Sequence, residues 1–183
     1  MNSIRNLGAL PAGRALISDD ILEFHAARLL LVVRVCGISN RIDGLTKLAK
    51  LDFFVRYPAF FADACRALHE PVPEVGGAVE APMVRYHYGP WDKRYYHVLA
   101  FLEGTRLLSV APQPNGSYRF SLTEDGLQRA NALLNAPAFA PLVAHMGSVK
   151  RVFGSKSGDT IKKLIYQLFD AEVALRLLGE VIR

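Results

Sequence analysis

Few groups in this chain have the types and spacing to do chemistry. The five histidines include no HExxH order and no paired zinc-ligand spacing, although His87 and His97 flank Asp92. The segment GSKSGDT at 154–160 holds Gly, Lys and Ser but lacks the GxxxxGK[ST] order, and the strand before it, of a phosphate-binding loop. Ser157 and Asp159 read instead as caps for the first N–H groups of the helix DTIKKLIYQLF. There is no GxSxG elbow to expose a nucleophile. No catalytic residue, metal ligand or cofactor is therefore assigned, and the chain reads as non-enzymatic.

Three other features carry physical meaning. Asp52 lies among Leu51, Phe53 and Phe54, where a buried carboxylate needs a partner. Arg56, one helical turn on, supplies it, and the expectation is a structural ion pair fixing the bend at Tyr57 and Pro58. Trp91, the sole tryptophan, is crowded by Tyr86, Tyr88, Tyr95 and Tyr96; core packing is its default reading, and the alternative is an exposed aromatic platform in which Trp91 with Tyr96 forms a candidate partner surface. Basic residues concentrate from His145 to Lys163, where Lys150, Arg151, Lys156, Lys162 and Lys163 face Asp159 alone. Together with Lys93, Arg94 and Arg119, the side chains of Lys150, Arg151 and Lys156 are candidate nucleic-acid contacts, an electrostatic footprint suited to phosphates.

These residues must be held by a modest scaffold. A chain of 183 residues, 51% hydrophobic and 21% charged, folds as one unit with a real core and is neither disordered nor collagen-like. The longest aliphatic run, Leu29 to Val33, is flanked by Arg28 and Arg34 and falls far short of a membrane span of roughly 20 residues. The first twenty residues lack the apolar stretch of a secretory signal, which places the chain in the cytoplasm. There Cys36 and Cys65, both within apolar helical patterns, remain reduced. The net charge of +5 is suggestive of an acidic partner but short of a dedicated nucleic-acid domain.

Along the chain, residues 1–17 read as a loose arm. A helix capped by Ser18 or Asp19 follows, with apolar residues on more than one face, and ends by Gly37. After the turn GISNRIDG a second helix runs from near Leu45 until Pro58 restarts a third. Residues 70–82 are irregular, MVRYHY is a short strand, and Trp91, Tyr95, Val98, Leu99 and Leu102 mark one face of a helix over 91–103. LLSVAP and YRFSL, joined around Asn115-Gly116, form a hairpin, Thr123 caps the next helix, and helices continue to the end. The expected class is mainly α with a small β-hairpin. Residues 18–135 make a winged-helix-like domain, and 136–183 form a C-terminal helical extension packed on it. In its last stretch, DAEVALRLLGEVIR, the apolar residues exceed what one buried face needs, so Leu175, Leu178, Val181 and Ile182 join the candidate partner surface.

KLAKLDFFVRYPAFF, YGPWDKRYY and RFSLTEDGLQRA sit in a chain that, over residues 20–182, resembles the middle component of bacterial ABC-three-component systems, the Lamassu-type anti-phage defence operons. The resemblance implies an accessory subunit that docks on an SMC-like coiled-coil ATPase beside a nuclease effector, with ATP hydrolysis and cleavage left to those partners. It names no contact residues. Contact with double-stranded DNA is compatible with it. The alternatives are a winged-helix DNA-binding regulator, whose affinity would fall steeply with salt, and an antitoxin-like protein.

Overall fold

The computed structural model describes residues 21–73, 83–86 and 89–169. It is mainly helical, with one small three-stranded antiparallel sheet and a separate two-stranded ribbon. Helix α1 (Leu22–Leu31) runs into a π-helical turn (Val32–Cys36) in which one widened turn lets Val32, Val33 and Cys36 all bury. Residues 1–17 and the proposed caps Ser18 and Asp19 lie outside the described residues; the residue preceding α1, Ile21, gives no side-chain cap. The π turn ends at Gly37, which takes up extended backbone, and the position demands glycine because a Cβ there would stand 2.3 Å from the Val33 carbonyl oxygen. Ser39 and Asn40, both in the left-handed region, then make a tight two-residue turn closed by Ile38 and Arg41. It delivers β1 (Arg41–Asp43), a strand within what reads in sequence as a plain turn.

Helix α2 (Leu45–Arg56) is the axis of the fold. Every residue from Leu48 to Arg56 is buried, so the helix has no solvent face over its last two turns. Tyr57, pushed out of the helical region by the ring that follows, breaks the helix, and Pro58 opens α3 (Pro58–Ala67) where its missing N–H costs nothing. Phe53, Phe54, Phe60 and Phe61 build an aromatic cluster at this corner, and Phe54 stacks on Phe153 with centroids 4.4 Å apart.

The ribbon pairs β2 (Val84–Tyr86) with β3 (Gly89–Trp91). Trp91 thus belongs to a strand, and α4 (Tyr95–Gly104) begins four residues later than the apolar spacing suggests. The face itself is as expected, since Trp91, Tyr95, Val98, Leu99 and Leu102 are all buried. The hairpin of β4 (Leu108–Pro112) and β5 (Tyr118–Leu122) turns through Gly116, whose φ of 76° favours glycine. β1 adds to β5, placing Ile42 opposite Phe120, and completes the sheet order β1-β5-β4.

Helix α5 (Glu124–Leu134) is capped by Thr123, which accepts from the Gly126 N–H at 2.9 Å. A 3-10 turn (Pro137–Phe139) leads to α6 (Ala140–Phe153), and α7 (Gly158–Leu168) starts at Ser157, which accepts from the Thr160 N–H. Asp159 serves the same end as a first-turn carboxylate, paired with Lys162 and Lys163. Helices α6 and α7 are more than an extension packed on a finished domain: Met146, Val149, Phe153, Ile161 and Ile165 belong to the same core cluster as Leu29, Leu51 and Phe54.

Gly126 marks a close approach. A Cβ there would lie 1.8 Å from the Leu107 carbonyl oxygen, in the first turn of α5. Gly126→Ala is expected to destabilise by more than about 2 kcal/mol despite the better helix propensity of alanine, read from thermal denaturation. Gly104→Ala, where a Cβ meets nothing, is expected to leave stability unchanged or slightly raised.

Candidate functional site

Polar chemistry is concentrated where α1, α2 and the start of α4 meet. Asp52, fully buried on α2, accepts from Arg28 Nε at 2.8 Å and Nη2 at 3.4 Å, and from the Tyr95 hydroxyl at 2.7 Å. The Arg28 Nη1 lies 2.9 Å from His25 Nδ1, and the other ring nitrogen, Nε2, lies 2.9 Å from Arg94 Nη1. The His25 tautomer decides which guanidinium it accepts from. Arg94 donates to Asp92 through Nε, Nη2 and its backbone N–H. Arg56 Nη1 donates to Asp92 Oδ2 at 2.6 Å and stands 4.0 Å from Asp52 Oδ2, which closes a ring of charged side chains.

The expected pair of Asp52 and Arg56 is present, one helical turn apart with Arg56 Nη1 4.0 Å from Asp52 Oδ2, and it is one edge of a larger network. The closer contacts reach across elements: Arg28 meets the Asp52 carboxylate from the facing helix with two donors, and Arg56 donates to Asp92.

The ring shapes its own electrostatics. Burial alone would raise the Asp92 carboxyl, yet the hydrogen bonds from Arg94 and the charges of Arg56 and Arg94 hold it well below the usual carboxylate range. Tyr95 is pushed well above its ordinary value by burial and by the Asp52 charge it donates to. Beside the ring, Lys50 on α2 is fully buried and donates from Nζ to the Pro90 carbonyl at 2.9 Å, which ties the ribbon to the central helix. Burial, with the Lys162 charge adding, lowers it to about 7. Cys36, donating its thiol to the Met146 carbonyl, is pushed up to about 12 by burial and so acts as a small hydrophobe.

Carboxylates clamped by guanidiniums and sealed from water position helices; a general acid or base must reach its substrate, and Asp52 reaches none of the surface. Among the described residues, no three His, Cys, Asp or Glu side chains gather to hold a metal ion.

The structure scatters the candidate contacts. Arg94 is consumed in the ring, Arg119 pairs with Asp43 at 2.6 Å, and Lys150 donates to the Gly37 carbonyl at 3.0 Å. Lys93 and Arg151 are exposed and Lys156 is half-buried. Trp91 is a core residue, only 5% exposed and edge-on to Tyr95, which removes it from any partner surface. Tyr96 is 61% exposed. Leu175, Leu178, Val181 and Ile182 lie outside the described residues, as do His87 and Tyr88. Sequence reasoning missed His25, Arg28, Asp92 and Tyr95 as members of one polar cluster, and Lys50 as the buried amine beside it. The signal was present in HAARLLL and KLAKLDFFVR, where cationic residues interrupt helices otherwise apolar on several faces.

Compared with protein families, with curated proteins and with solved structures, the chain matches none.

Proposed function

We propose that this chain is a non-catalytic accessory subunit with a winged-helix-like arrangement. It docks, in the cytoplasm, on an SMC-like coiled-coil ATPase of an anti-phage defence complex that includes a nuclease effector. The winged-helix reading is supported by the order α1, β1, α2, then α4 and the β4–β5 hairpin, with β1 added to the far side of β5. In that reading α3 and the β2–β3 ribbon are insertions before the helix that precedes the wing. The partner class comes from the resemblance of the sequence.

One observation carries the choice of docking over base reading. The helix before the hairpin, α4, exposes Tyr96, His97 and Ala100, and of the nearby cations that a reader of bases would use two are engaged, Arg94 in the ring and Arg119 with Asp43, which leaves Lys93 exposed. An exposed tyrosine over a rigid helix is an interface anchor. This disfavours the DNA-binding regulator; the antitoxin-like alternative is separated by its genomic neighbours.

The test is a pull-down of the tagged chain coexpressed with its flanking genes. A large coiled-coil ATPase is expected to be recovered and to survive a high-salt wash. Tyr96→Ala is expected to cut that recovery at least tenfold, an anchor-sized loss, with the melting temperature unchanged. Recovery of no ATPase, or of one indifferent to Tyr96, overturns the assignment of this surface.

A further inference from the structure

A second surface, on the opposite chemistry, lies where the turn after the π helix meets the end of α6. A shallow cleft of about 410 Å³ is lined by Ile38, Gly147, Lys150, Arg151, Gly154 and Ser155. Two cations stand in it, Lys156 follows Ser155 in the chain, and Arg41 closes the turn that presents Ile38. No carboxylate is among the lining residues. The Lys150 ammonium spends one of three donors on Gly37, which holds its side chain across the turn and leaves two to offer. At Gly147 a Cβ would meet nothing, so the α6 backbone is open to close approach there.

We infer that this cleft, through Lys150 and Arg151 and with Arg41 and Lys156 as the neighbouring cations, seats the phosphate backbone of a DNA duplex without reading its bases. The chemistry favours a phosphate ladder over a protein. Protein interfaces have apolar, aromatic centres depleted in lysine, whereas this cleft has one aliphatic side chain, glycines and cations. It also favours duplex over single strands, which are held by stacking on aromatic rings that the cleft lacks. The surface does not depend on the docking reading of α4, and of the six cations singled out in the sequence it keeps Lys150, Arg151 and Lys156 and leaves out Lys93, Arg94 and Arg119.

The test is fluorescence anisotropy of the full chain with random-sequence DNA duplexes of about 20 base pairs across a salt series. Three or four phosphate contacts give a slope of log K against log salt near −3. Arg151→Glu with Lys156→Glu is expected to flatten that slope by about two units and weaken binding at least tenfold, while Lys93→Ala with Arg119→Ala leaves both within about twofold. A thermal melt confirms that each variant folds. The inference is overturned if the wild type binds no duplex at low salt, or if the two double variants behave alike. Single-stranded DNA binding more tightly than duplex, or polyglutamate competing as well as DNA, overturns it equally.

Discussion

Asp52→Ala is expected to cost about 3 to 5 kcal/mol, enough to leave the protein barely folded, because it removes the acceptor on which Arg28 and Tyr95 converge. The arithmetic turns on burial. Arg28 is 2% and Tyr95 1% exposed, so neither the guanidinium nor the hydroxyl can turn to water once the carboxylate is gone. The Asp63 and Arg66 pair on α3 offers an internal contrast: both side chains are more than half exposed, and Asp63→Ala is expected to change stability by less than about 1 kcal/mol. Urea denaturation reads both. A small loss at Asp52 comparable to that at Asp63 would mean that the ring does not hold α1, α2 and α4 together. Asp52→Asn sharpens the result, since it keeps the volume yet sets an amide against donors and is also expected to destabilise.

The same ring shows what could be read from the sequence. That Asp52 is buried and needs a cation is local information, carried by the apolar residues on either side. Which further groups answer is not local: Arg28 lies 24 positions away and Tyr95 lies 43 away, and the packing of α1 and α4 against α2 adds them to the one-turn pair with Arg56. Elements with local determinants were legible. Pro58 restarts a helix, Asn115-Gly116 turns a hairpin, and Thr123 and Ser157 cap the helices they precede. Elements with remote determinants were not. The three residues of β1 alternate polar, apolar, polar but are too short a run to announce a strand, and they become one where Ile42 lies opposite Phe120 in the sheet. Trp91 fits a helical face by spacing yet its backbone pairs with Val84, while its ring is buried edge-on to Tyr95, which removes it from the candidate interface. Basic residues were legible as a cluster in the sequence, but the division between those spent internally and those offered at the surface depends on the remote carbonyls of Gly37 and Gly154 that Lys150 and Lys47 bind.

Lys50 gives the second large effect, and its sign follows from burial, which disfavours the charged amine. Its ordinary value is 10.5, and burial brings it to about 7, so between those two values the unfolded chain carries a proton that the folded protein does not. Stability therefore rises with pH through that window, by at most about 1.4 kcal/mol per unit, and below pH 7 the full penalty of a cation in the core persists. From pH 7 to 8.5 the expected gain is between about 1 and 2 kcal/mol, because the folded amine is still half protonated at pH 7. Above pH 9 the trend bends over, because Cys36 and Tyr95, both raised by burial, hold protons in the folded state that the unfolded chain releases. Lys50→Met keeps the length of the side chain, loses the donor to Pro90 at a cost of about 1 kcal/mol, and removes the larger penalty of the buried charge. It is expected to be more stable than the parent at pH 7 by about 2 kcal/mol or more and to lose the rise between pH 7 and 8.5. Chemical denaturation at a series of pH values measures both. If the rise survives in Lys50→Met, another group is the source, and the amine of Lys50 enters the core without the desolvation that its position between α2 and the ribbon imposes.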